Sequence, residues 1–122
     1  MRVLVCGGRD FNDVSLLNET LATIDVPYRP IATIIHGDAR GADTLAGQWA
    51  REHKKFEWKF PADWEKYGKS AGPIRNSEML AASTPDLVIA FPGGRGTQDM
   101  IDRATKSGYH VLEITSDGKI KT

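Results

Sequence analysis

Asp86-Leu87-Val88-Ile89-Ala90-Phe91-Pro92-Gly93-Gly94-Arg95-Gly96-Thr97 passes from an unbroken apolar run into three closely spaced glycines. Leu87 to Phe91 contains no polar residue and is short, which reads as a strand covered on both faces. After the glycines, Met100, Ile101 and Ala104 recur at helical spacing, and Gly108 offers a stop. A buried strand, a glycine turn and a helix form the repeating unit of a parallel α/β sheet.

The same grammar extends in both directions. Val3-Leu4-Val5-Cys6 is an apolar strand ending at Gly7-Gly8, followed by Asn12 and Asp13 as caps for a helix with Val14, Leu17, Leu21 and Ile24 on one face. Pro27 and Pro30 interrupt that helix. Ile31 to Ile35 is a second buried strand ending at His36-Gly37-Asp38, and a helix with Ala42, Leu45, Ala46, Trp49 and Ala50 inward begins near Gly41. Phe56-Glu57-Trp58-Lys59-Phe60 alternates and reads as an outer strand. Pro61 to Gly72 is the longest irregular stretch. Pro73 suits the first turn of a helix running to about Ala82. Tyr109 to Ile114 is a last strand before a polar tail.

This order predicts a single domain over residues 1–122: a Rossmann-like, three-layer α/β/α fold around a mainly parallel five-stranded sheet. The 122 residues suit one domain with a real core. Lys+Arg and Asp+Glu both number 16, so the formal charge is zero, which argues against bulk electrostatic binding to nucleic acid or anionic membrane. The single cysteine, Cys6, excludes an internal disulfide. No apolar run approaches the roughly 20 residues of a membrane helix, and the expected location is the cytoplasm.

In doubly wound sheets, ligands sit outside the carboxyl ends of the strands where strand order reverses. The first and fourth strands are the expected neighbours there, and both end in a double glycine, Gly7-Gly8 and Gly93-Gly94. In Pro92-Gly93-Gly94-Arg95-Gly96-Thr97 the glycines admit close backbone approach, the helix start turns amides outward, and Thr97 and Arg95 add a hydroxyl and a charge. That pattern points to phosphate or another anion; the competing reading is a tight turn whose glycines serve geometry alone. In His36-Gly37-Asp38-Ala39-Arg40-Gly41-Ala42-Asp43, Asp38 would take ribose hydroxyls and Arg40 a phosphate. Asp43 reads as a first-turn cap, and His36 as a satisfied strand-end residue. Gly7-Gly8-Arg9 lacks the third spaced glycine of a dinucleotide fingerprint. Arg75 and Met79, four apart, share one helix face, with Met79 in the core. Trp64 and Tyr67 would stack on a base or pack on the sheet edge. His36, Asp38 and Asp43 make a weak metal set that nothing completes, so neither metal nor cofactor is expected.

Together, Val5 to Phe11, His36 to Asp43, Pro61 to Trp64, Gly72 to Asn76 and Phe91 to Thr97 resemble the YspA-like branch of the SLOG superfamily, also called DUF2493, found in bacteria and their phages. The resemblance covers roughly Met1 to Ile114. It implies a Rossmann-like domain that binds nucleotides or nucleotide-derived ligands. LOG-type phosphoribohydrolases, relatives that cut the N-glycosidic bond of nucleoside 5′-monophosphates, share the Pro92–Thr97 pattern and an arginine followed four residues later by methionine. They carry a catalytic glutamate where this chain has Met100, and lysine where it has Asn76. Asp99 neighbours that position but points about 100° away around the helix. The resemblance therefore implies phosphate binding more directly than hydrolysis.

Three functions follow for testing. The first is a module binding a phosphorylated, ADP-ribose-like or cyclic nucleotide, which senses or sequesters a signal. Its binding residues would be Gly7, Gly8, Arg9, Gly37, Asp38, Arg40, Gly41, Arg75, Asn76, Pro92, Gly93, Gly94, Arg95, Gly96 and Thr97. The second is a hydrolase of the N-glycosidic or phosphodiester bond of such a ligand, with Asp38, Asp43 and Asp99 as acid/base candidates. The third, single-stranded DNA binding, is disfavoured by the zero net charge. LOG-type relatives share site residues across a dimer, so the resemblance also implies a homodimer.

Overall fold

A computed structural model describes residues 1–121. Five strands, β1 (Arg2–Cys6), β2 (Thr33–His36), β3 (Phe56–Lys59), β4 (Leu87–Ala90) and β5 (Val111–Glu113), form one sheet in the order β3-β2-β1-β4-β5. Every pairing is parallel. The chain builds outward from β1 through β2 to β3, then returns to the other side of β1 with β4. The reversal point thus lies between β1 and β4, which pair from Val3↔Leu87 to Cys6↔Ala90.

The helices are α1 (Val14–Ile24), α2 (Ala42–Glu52), α3 (Trp64–Tyr67), α4 (Ala71–Ser83) and α5 (Arg95–Lys106). Alternation along β1 explains the three layers, because successive strand residues point to opposite faces. Val3 and Val5 pack with Leu17, Leu21, Ala46 and Trp49 of α1 and α2. Leu4 and Cys6 pack with Met79, Leu80, Met100 and Ala104 of α4 and α5. Asp13 caps α1 by accepting from the Leu16 amide at 3.0 Å. Gly108, at φ +85°, ends α5: its amide reaches the Thr105 carbonyl, and that of Tyr109 reaches Ala104.

Pro61 to Gly72, read from sequence as irregular, is largely helical. Asp63 caps the short α3 through the Lys66 amide, and a 3-10 turn over Gly68–Ser70 leads directly into α4. Among the described residues, no helix is long and apolar enough to cross a membrane.

Candidate functional site

A cavity of about 910 Å³ opens at the carboxyl ends of β1 and β4. Its lining includes Gly7 to Asp10, Trp64, Lys69, Arg75, Asn76 and the whole run Pro92–Thr97. The volume lies near the upper end of the range usual for small-molecule sites.

The two glycine turns touch each other. Gly8 donates its amide to the Pro92 carbonyl at 2.9 Å, and its own carbonyl accepts from Phe11 and Ala42. A Cβ on Gly93 would stand 2.6 Å from the Gly8 nitrogen and 2.2 Å from the Thr97 hydroxyl oxygen. A Cβ on Gly7 would stand 2.6 Å from that of Ala42. These glycines serve the approach of one turn to the other. Gly94 and Gly96 differ, since a Cβ at either would meet nothing within 4 Å. In a helix glycine costs up to about 1 kcal/mol against alanine, so Gly96 is a local cost that protein packing does not explain.

The start of α5 is left open. Among the described residues, the amides of Gly93, Gly94, Arg95, Gly96 and Thr97 donate to no protein acceptor; the first donor bound is Gln98, to the Gly94 carbonyl. Gly94 supplies no side-chain cap, and the first turn contains no acid. Arg95 stands there instead, a positive charge at the positive end of the helix dipole. Thr97 is only 7% exposed, yet its hydroxyl bonds to no protein group among the described residues and opens on the cavity.

Arg75 is positioned from three sides. Its Nε donates to Asn76 Oδ1 at 3.0 Å, and its Nη1 to the carbonyls of Gly37 at 2.5 Å and Phe60 at 3.3 Å. Gly37 is obligatory for this contact: a Cβ there would lie 2.2 Å from Nη1. Burial lowers the Arg75 pKa, against the opposing pull of Asp43. The buried Asn76 continues the chain of contacts, donating to the Gly96 carbonyl and to Asp99 Oδ2, which also accepts from Arg103 at 2.8 Å.

The β2 turn is closed onto itself. Asp43 Oδ2 accepts from the amides of Gly37 at 3.1 Å and Ala39 at 3.2 Å. Burial raises the Asp43 pKa, and those amides together with His36 and Arg75 only partly offset it. His36 is buried. Its Nδ1 accepts from the Asp38 amide, so Nε2 carries the proton donated to Glu57 Oε2 at 2.6 Å. Arg51 binds the other Glu57 oxygen, and Gly47 leaves room for the pair. Burial works to raise the Glu57 pKa, but its bonds to His36 and Arg51 prevail and hold it below the usual value.

The sequence-derived candidates therefore separate. Gly7, Gly8, Arg9, Asp43, Arg75, Asn76, Pro92 to Thr97 and Asp99 meet at the cavity. Gly37 touches it only through Arg75. Asp38 is exposed, at φ +57°, outside the lining. Arg40 also lies outside, paired on the surface with Asp10 at 3.3 Å. Gly41, at φ +80°, packs under the Gly8 carbonyl. Sequence reasoning missed Lys69 and Ser116 in the lining and Glu57 beneath His36. Only Lys69 had a signal, its place in the long connecting stretch. Cys6 is buried, and that burial pushes its thiol far up, as befits a packing residue.

Residues 1–67 match the family model described as the YspA, cpYpsA-related SLOG family. The Gene 61 protein of Mycobacterium phage D29 is 37% identical over 121 residues, a match covering 93% of this chain and 95% of that protein. The chain belongs to the YspA-related SLOG family. A solved structure, glycinamide ribonucleotide transformylase 1 from Symbiobacterium toebii, superposes with a TM-score of 0.53 at 19% identity over 93% of the chain. The match spans 50% of that larger protein, and the likeness extends to the Rossmann-like fold.

Proposed function

We propose that this SLOG domain binds a phosphorylated nucleotide or nucleotide-derived ligand, ADP-ribose-like or cyclic, and so senses or sequesters a signalling nucleotide. One observation supports the reading: five consecutive amides without a protein acceptor among the described residues and an unpartnered Thr97 hydroxyl open to the cavity lie together at a helix start that has no acid to balance its dipole. A phosphate there would accept from Gly93 to Thr97 and neutralise Arg95. Arg75, Lys69 and Arg9 would supply further positive charge, since none forms an ion pair within the described residues. The lining acids, by contrast, are engaged: Asp10 with Arg40, Asp13 as a cap, Asp43 with two amides, and Asp99 with Asn76 and Arg103. The match to a phage protein is consistent with the sequestering role.

Calorimetry with AMP, ADP-ribose and cyclic nucleotides, alongside unphosphorylated adenosine, tests this reading. The phosphorylated compounds bind and adenosine does not. Absence of binding by all of them at millimolar concentration overturns it.

A second reading, hydrolysis of the ligand, draws on Asp99. Both of its contacts fall on Oδ2, which leaves Oδ1 unpartnered among the described residues in a side chain that lines the cavity. Nucleotide turnover abolished by Asp99→Asn favours it, and product formation unchanged in that variant removes Asp99 from the chemistry.

A further inference from the structure

Trp64 is 47% exposed and lines the cavity with Arg9, whose guanidinium carbon lies 5.1 Å from the indole centroid. An indole so exposed leaves apolar surface in water, an unfavourable arrangement that a stacking partner relieves. Its position is held rather than loose. Asp63 caps α3 through the Lys66 amide, and the far edge of the ring rests over Gly72, where an added Cβ would lie 3.5 Å from Cη2. Arg9 is held by no carboxylate among the described residues, so it can leave the ring face without breaking an ion pair. The cavity is also far larger than one phosphate requires, with Trp64 in the same lining as the α5 start.

We infer that Trp64 is the wall on which the ligand's nucleobase stacks. The inference rests on the proposed nucleotide binding at the Gly93–Thr97 turn and names the residue that recognises the base. The base stacks on the indole, and Arg9 turns from the ring toward the phosphate. Stacking on an aromatic side chain is tolerant of base identity, so Trp64 selects nucleotides over sugar phosphates rather than one base over another.

Calorimetric titration of AMP and of ribose 5-phosphate, against the wild type, Trp64→Ala and Trp64→Phe, tests this. The wild type binds AMP about ten-fold more tightly than ribose 5-phosphate. That preference disappears in Trp64→Ala, is largely kept in Trp64→Phe, and the affinity for ribose 5-phosphate is the same in all three. Equal affinity of the wild type for both compounds overturns the base wall while leaving the anion reading intact. So does a Trp64→Ala variant that weakens both compounds equally, which marks the indole as structural support. Binding of neither compound overturns the anion reading and the base wall with it. Thermal melts of each variant confirm that it is folded.

Discussion

The turns after β2 and β4 look alike as sequence and differ in what they do with their hydrogen-bond donors. Both follow a buried strand, both carry glycines and arginine, and both open a helix. After β2, the amides of Gly37 and Ala39 go to Asp43, that of Asp38 goes to His36, and the Gly37 carbonyl receives Arg75. After β4, the amides from Gly93 to Thr97 receive no such partner among the described residues. The decisive residue is the acid in the first helical turn. Asp43 supplies it to α2, and α5 has none. A turn whose amides are taken up by the acid of the following helix is a structural joint, while one left open, with an arginine at the first helical position, is the arrangement on which the proposed anion site rests. Both helices start at a glycine without a side-chain cap, but only α5 of the two combines a missing first-turn acid with an arginine at its first position.

The largest effect should come from Gly93→Ala, because the new methyl would collide with both the Gly8 backbone and Thr97. Denaturant titration should register a loss of about 3 kcal/mol. Little change would mean that the two turns can separate, and that the cavity is less fixed than its geometry implies.

Glu57→Gln tests how firmly the closed turn is anchored. Because the folded-state pKa of Glu57 is depressed, its stabilisation is present above the ordinary glutamate pKa and is lost as pH falls through the folded value. At pH 7 the variant should be about 2 kcal/mol less stable, and the gap should close in acid. A gap independent of pH would remove the charged pair from the explanation.

At the open turn the sign reverses. Gly96→Ala should raise stability by up to about 1 kcal/mol, since the methyl meets nothing and helix propensity improves. Binding of AMP should weaken, because the methyl stands where the ligand approaches. Arg95→Glu should gain about 0.5 kcal/mol from the dipole and lose anion affinity. Melting curves paired with calorimetry read both quantities. A variant that lost stability and affinity together would erase the contrast between the two turns.

Much of this was legible from the chain. The apolar runs around Val3–Cys6 and Leu87–Phe91 marked central strands, the double glycines pointed to their ends, and the parallel order brings those ends together where the cavity opens. The open or closed state of each turn was not legible. It depends on partners distant in sequence: Gly8 with Pro92, Arg40 with Asp10, and His36 with Glu57. For that reason Asp38 and Arg40, attractive as isolated letters, lie outside the cavity, whereas Lys69 and Ser116 line it. Nor could the pattern of residues show that Gly93 is needed for packing while Gly96 is not. Only the space around each Cα distinguishes them.

The central claim is most directly tested by following backbone amide resonances while AMP is added. The amides of Gly93, Gly94, Arg95, Gly96 and Thr97 should shift most and saturate together, while those of Gly37, Asp38 and Ala39 move little and adenosine leaves both sets in place. Saturating shifts centred on the β2 turn, or none at the start of α5, would contradict it.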